Sequence, residues 1–289
     1  MPTKVEKDSV TGTETTGHEW DGLKELNTPL PTWWVYILYA TIVWAIGYSI
    51  VYPSWPWFNG YIKGMWGYSQ RVELDTRLAA AAEQRGAFLA KIKADSLDQI
   101  QRNPELFNFA LAGGRVAFGD NCAPCHGAGG AGAKGYPSLA DDDWLWGGDI
   151  ANIYQTVSFG VRNANDKSRN NQMPRFGADG VLNSQQINDV TEYVLSLTER
   201  ATDAAAVKRG QPVFAEQCAS CHGDKGQGNI ELGAPRLSDS IWLYGGDKAT
   251  ILETIYYARN GNMPAWSERL DEATVKMLAI YVHALGGGK

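Results

Sequence analysis

A five-residue pattern, Cys-X-X-Cys-His, occurs twice in this chain of 289 residues, as Cys122-Ala-Pro-Cys125-His126 and as Cys218-Ala-Ser-Cys221-His222. The two copies use all four cysteines and two of the four histidines. The pattern is the attachment signature of c-type haem. Two thiols add to the haem vinyl groups, and the adjacent imidazole is placed to bind the iron from one face. Other readings of paired cysteines are weaker. A thioredoxin-like dithiol has no need of a histidine directly after its second cysteine, twice over. A zinc site could draw on both pairs, but they stand 96 residues apart (218 − 122), whereas paired zinc cysteines typically sit within about 20 residues of each other. The expected cofactors are therefore two covalently bound haem c groups.

Each motif belongs to a longer repeat. Residues 119–127 parallel 215–223, "GYPSL" at 135–139 parallels "GAPRL" at 233–237, and "DDDWLWGGD" at 141–149 parallels "SDSIWLYGGD" at 238–247. Arg162-Asn163 is matched with Arg259-Asn260, Met173-Pro174 with Met263-Pro264, and "EYVLSL" at 192–197 with "IYVHAL" at 280–285. Helices are expected before each motif, over 106–118 and about 204–217. Closing helices are expected over 184–198 and 271–285, where Ile187, Val190, Val194 and Leu197, and Leu270, Val275, Leu278 and Val282, form apolar stripes. The simple domain reading is 106–200 for the first haem domain and 201–289 for the second.

The far face of each iron needs a ligand. Met173 lies 47 residues after His126, and Met263 lies 41 after His222, both before proline. A thioether is a soft iron ligand, and His/Met ligation raises the reduction potential. Core filling is the ordinary role of methionine, but the repeated Met-Pro position favours ligation. The spacing leaves open whether each methionine serves the haem of its own repeat or the other. Behind each histidine, the Gly-X-Pro-X-Leu segment resembles one in class I c-type cytochromes whose proline carbonyl accepts the imidazole N–H, which marks Pro137 and Pro235. Arg162 and Arg259 are candidates to face haem propionates, with a solvated side chain as the alternative. His18 and His283 are expected to be ordinary solvated or packed histidines.

Residues 33–52, "WWVYILYATIVWAIGYSIVY", carry no charge. At about 1.5 Å per residue they span about 30 Å, the hydrocarbon thickness of a bilayer. Trp33, Trp34 and Tyr36 flank one end, and Tyr48, Tyr52, Trp55 and Trp57 flank the other, as in interfacial aromatic belts. A single-pass anchor is expected, preceded by a leader (1–32) and followed by an interfacial segment and helical linker (53–105). Lysines and arginines lie on both sides, so charge does not orient it. The haem motifs do, because c-type haem is attached outside the bacterial cytoplasmic membrane. The leader is then cytoplasmic and the haem half periplasmic, at the bacterial inner membrane.

Residues 106–200 carry 7 Lys/Arg against 10 Asp/Glu (7 − 10 = −3), and residues 201–289 carry 9 against 10 (9 − 10 = −1). A mildly acidic haem surface suits a basic soluble electron donor. No feature suggests nucleic-acid binding, and no nucleophile is paired with a base. The chemistry would be the cofactor's.

With leader, anchor and tandem haem repeats together, the chain resembles the dihaem cytochrome c subunit (FixP/CcoP) of cbb3-type cytochrome c oxidases. The leader segment at 19–34, "EWDGLKELNTPLPTWW", the "YPSWP" at 52–56 and the paired Trp-Leu-X-Gly-Gly-Asp segments carry the resemblance. It implies an all-α fold of one transmembrane helix and two tandem class I cytochrome c domains. It also implies a donor, either a soluble cytochrome c or the bc1 complex. The acceptor would be a monohaem cytochrome subunit, and beyond it a haem–copper subunit that reduces oxygen. The competing readings are a membrane-tethered dihaem shuttle and the cytochrome subunit of a periplasmic dehydrogenase.

Overall fold

The computed structural model describes residues 4–286 and divides into two units, residues 1–83 and 84–289. The first unit opens with an antiparallel hairpin, β1 (Thr15–Trp20) and β2 (Leu23–Leu26). Asp21 and Gly22 between them both have positive φ, 47° and 85°, which a two-residue type I′ turn requires. The polar leader thus holds order that its composition does not announce, and His18 stands exposed on β1.

Helix α1 (Thr32–Val51) follows Pro31 and contains no buried residue, so its apolar surface faces outward all round. Such a helix belongs in lipid or against a partner rather than in a soluble core. After it, strands β3 (Pro56–Trp57) and β4 (Gly60–Tyr61) form a short hairpin. The next residues fold back on the helix end, where Met65 N–H donates to the Ile50 carbonyl (2.9 Å) and Trp66 N–H to that of Val51 (3.2 Å). Tyr48, Tyr52 and Trp66 cluster there.

The expected helical linker is two helices, α2 (Gln70–Ala94) and α3 (Leu97–Arg102). The break has a local cause. Ser96 caps α3 in a reciprocal capping box with Gln99, which satisfies N–H groups that the start of a new helix would otherwise leave orphaned. Asn103 in turn caps α4 (Pro104–Asn121), with Pro104 in its first turn. The remaining helices are α5 (Ala123–His126), α6 (Ile150–Phe159), α7 (Ser184–Ser196), α8 (Ala204–Gln217), α9 (Ala219–His222), α10 (Lys248–Tyr257) and α11 (Glu272–Ala284).

The packing of these helices crosses the repeat boundary. Helix α7, at the end of the first repeat, packs on α8 of the second, and α11, at the end of the second, packs on α4 of the first. One core joins Ile187, Val190 and Val194 of α7 to Phe214, Cys218, Ile251 and Ile255. The other joins Val275, Leu278, Ala279 and Val282 of α11 to Phe118, Cys122, Ile153 and Val157. The seven residues between α7 and α8 (197–203) explain the exchange, since a short connection makes antiparallel neighbours of consecutive helices. Helix α4 is then left for α11. A third cluster seats Phe88, Leu89 and Ile92 of α2 with Ile100, Leu106 and Ile280.

A glycine lies at each exchanged crossing. A Cβ on Gly210 would meet the Asp189 carbonyl of α7, and one on Gly114 would meet the Met277 carbonyl of α11. Because the obstacle is backbone, a methyl group can fit only if the helices separate. Gly210→Ala is expected to destabilise the protein by about 1–3 kcal/mol. Thermal unfolding of the haem-loaded protein measures this, and an unchanged midpoint would show that the crossing is not close-packed.

Candidate haem sites

Cys122, Cys125 and His126 stand at i, i+3 and i+4, Cys122 being the N-cap of the single-turn helix α5, and Cys218, Cys221 and His222 stand likewise at α9 with Cys218 as its N-cap. That spacing brings all three side chains to one face. The turns are closed by His126 N–H to the Cys122 carbonyl and His222 N–H to the Cys218 carbonyl, both 2.9 Å. All four cysteines are free. Burial, with Cys125 and Cys221 as secondary causes, pushes the Cys122 and Cys218 thiols up to about 11. A reactive redox dithiol needs the opposite shift.

Each chain segment after the motif turns back over its histidine. The Pro137 carbonyl lies 2.9 Å from His126 Nδ1, and the Pro235 carbonyl 2.9 Å from His222 Nδ1. A carbonyl can only accept, so Nδ1 carries the proton in both rings and Nε2 keeps its lone pair. Burial moves both imidazoles below their usual range, against the pull of those carbonyl bonds, and so favours the neutral ring. A neutral ring with Nδ1 fixed and Nε2 free is the form that binds a metal.

The methionines follow the exchanged helices. Met173 packs against the core containing Phe214 and Cys218, and Met263 against the core containing Phe118 and Cys122. A cavity of about 630 Å³ has Met173, Cys218, Cys221 and His222 in its wall. The structure thus groups Met173 with the second motif and Met263 with the first. This cavity also touches Tyr136, Pro137 and Ser138, the segment that holds His126.

The arginines need a correction. Counting back from Met-Pro, the partner of Arg259 is Arg169, not Arg162, because each stands four residues before its methionine (263 − 259 and 173 − 169). The contacts agree. Arg259 lies over the Tyr244 ring at 4.8 Å and Arg169 over that of Trp146 at 5.1 Å. Arg259 donates to Thr250 and Thr254 of α10, and Arg169 to Asn152 and Gln155 of α6. Arg162 instead sits in the extra segment that the first repeat carries, and it also lines the cavity. His283, assigned no role by its position, is 3.4 Å from the Gln101 side chain through Nδ1.

Several residues escaped the sequence reading. Trp242 lines the cavity, and its buried indole N–H lacks a hydrogen-bond partner. Its repeat counterpart, Trp144, donates to the Asp141 carbonyl at 3.0 Å. The shared Trp-Leu-X-Gly-Gly-Asp segment was the available signal. Asp143, also in the wall, is pushed up to about 6 by burial and then by Asp239 and Asp141.

The donor set fits covalent haem. Each site offers two free thiols and an imidazole with an available Nε2. At the second motif there is also a cavity within the size range of cofactor pockets. The unpartnered Trp242 N–H calls for an acceptor that the protein itself does not provide there.

The chain also matches known families along its length. Residues 12–59 match the N-terminal domain of cytochrome oxidase-cbb3, FixP, residues 111–198 match cytochrome c, and residues 205–282 match cytochrome C oxidase, cbb3-type, subunit III. It is 54% identical to the cbb3-type cytochrome c oxidase subunit CcoP of Azospirillum brasilense, over 98% of this chain and 99% of that one. It is 54% identical to subunit FixP of Bradyrhizobium diazoefficiens, over 100% of both. Against subunit CcoP of Cereibacter sphaeroides it is 50% identical, over 95% of both. Two cysteine-histidine motifs in two cytochrome c domains, behind an apolar helix and a FixP leader, leave one conclusion: the chain belongs to the FixP/CcoP family of cbb3-type cytochrome c oxidase subunits and carries two covalently bound haem c groups.

Proposed function

We propose that this subunit receives electrons from a soluble cytochrome c or the bc1 complex and delivers them to a monohaem cytochrome subunit, from which they reach a haem–copper subunit that reduces oxygen. The observation that carries the relay is the shared wall. The cavity of the second motif includes the Tyr136–Ser138 segment that orients His126, so the two sites adjoin. The haem iron supplies the one-electron chemistry when bound. The chain's own residues hold it. The thioethers of Cys122 and Cys125, and of Cys218 and Cys221, tether the two groups. His126 and Met263 would hold one iron, and His222 and Met173 the other, a pairing supported by the packing of each methionine on the core of the opposite motif. The Pro137 and Pro235 carbonyls fix the imidazole planes. Arg162 and Arg259, in the cavity wall with Lys134 and Arg236, would be cations available to propionates.

The leader is cytoplasmic and the haem half periplasmic, with α1 crossing the inner membrane. This follows from the place where c-type haem is attached, together with the length and apolar surface of α1. Extraction in gentle detergent tests the relay. Co-purification with a monohaem cytochrome and a haem–copper subunit, with both haems of this chain reduced by cytochrome c and reoxidised by oxygen, is the expected result. A homogeneous dihaem protein free of those partners would leave only the tethered shuttle.

A further inference from the structure

The two repeats differ by an insertion. Met173 lies eleven positions after Arg162, but Met263 only four after Arg259. Since Arg169 is the true counterpart of Arg259, and Gly160 and Ala258 each close an equivalent ten-residue helix, the eight residues 161–168 have no equivalent in the second repeat. Arg162, the second residue of this insertion, has a φ of 50°, a left-handed conformation that a non-glycine residue holds only when its surroundings impose it.

Those surroundings are the two methionine segments. Arg162 Nε donates to the Gly261 carbonyl at 2.6 Å, and its Nη1 donates to the Asn171 carbonyl at 3.0 Å. Gly261 stands two residues before Met263, and Asn171 two residues before Met173. The Arg162 carbonyl accepts from the Asn262 side chain. On either side, Val161 and Met263 exchange backbone hydrogen bonds of 3.0 and 2.9 Å. The Asn163 side chain donates to the Met263 carbonyl at 2.7 Å. Arg259 makes no such bridge in its described bonds, which go to Glu253, Thr250 and Thr254 of its own helix.

We propose that Arg162 is a positioning residue for both haem sites at once, coupling the two methionine-bearing segments so that neither thioether is set independently of the other. A guanidinium suits the task. Its donors lie in one rigid plane and it stays charged, so two carbonyls bound to it are held in register. A lysine ammonium is a single point on a flexible stem and cannot hold both in that relation.

The proposal rests on the ligation read above, so its test uses the full-length, haem-loaded protein with Met173→Ala and Met263→Ala in parallel. The readouts are the long-wavelength charge-transfer absorption of a thioether bound to ferric iron and the two midpoint potentials. In Arg162→Gln the fraction of iron without its thioether is expected to rise about tenfold at both haems, the scale of a lost hydrogen bond to a charged group. Arg162→Lys is expected to show the same double effect, and it serves as the test if Arg162→Gln does not fold. Asn163→Ala is expected to disturb the haem of Cys122 and Cys125 alone. A change confined to one haem, no change, or full rescue by lysine would overturn the coupling, the last by showing that charge alone matters. If the two methionine variants themselves kept both absorptions, the ligation reading would fall instead.

Discussion

Replacing Met173 with alanine is expected to strip the thioether from the haem of Cys218 and Cys221, while the haem of Cys122 and Cys125, in the same repeat as Met173, keeps its own. The expectation follows from packing rather than sequence order. Met173 shares a cavity wall with His222 and a core with Cys218, whereas Met263 shares a core with Cys122. Axial ligands set haem potentials over about 0.8 V, and thioether ligation raises them. The affected haem should fall by on the order of 0.1 V or more. The assignment is checked in a background that retains only the first haem, made by Cys218→Ser with Cys221→Ser. There Met263→Ala should abolish the thioether absorption and Met173→Ala should spare it. The reverse pattern would mean that each methionine serves its own repeat.

The second large effect is on stability. Glu192 of α7 is fully buried, yet its carboxylate accepts from Lys248 Nζ (2.7 Å), from the backbone N–H groups of Thr202 (2.8 Å) and Asp203 (3.1 Å), and from the Thr202 hydroxyl. Burial alone would raise its pKa, but these partners outweigh burial and bring it down to about 2. Glu192 thereby ties the exchanged helix α7 to the start of α8 and to α10 of the other repeat. Glu192→Ala leaves those donors unsatisfied in the interior and is expected to cost about 3 kcal/mol. Because the folded pKa lies below the unfolded value, the contribution is fully present above about pH 4.5 and is lost as pH falls towards 2. Denaturant titrations at pH 7 and pH 3 check both statements. The wild type should lose stability between them, and Glu192→Gln should lose less. Equal slopes would show that this carboxylate does not carry the linkage.

The elements of this fold were largely legible in the chain, and their partners were not. Helix α8 was expected at 204–217 and is found there, because its apolar spacing and the motif at its end are local signals. Likewise α1, expected over 33–52, spans Thr32–Val51. The reciprocal packing of α7 and α11 has no local signature. Both stripes would fit either α4 or α8, and the deciding quantity is the seven-residue connection after α7. At the sites, the cysteine, histidine and proline positions are brought together as read, since their spacing within one turn and one loop encodes the geometry. Arg162 matches Arg259 by local sequence because two arginines in the first repeat precede asparagine, and only the count back to Met-Pro separates them. Trp242 gives no site signal in the sequence, because an indole beside Ile241 and Leu243 reads as core, and only the structure shows its unpartnered N–H.

The exchange of closing helices also dictates an order of assembly. His126 emerges 137 residues ahead of Met263 (263 − 126). With the pairing proposed above, the first site would gain its methionine and its closing helix only when nearly the whole chain has been made. The second site would have its methionine and α7 already in hand when its own cysteines arrive. Completion would then run backwards relative to synthesis: the later motif can be completed first, and the last helix to appear packs on the earliest site.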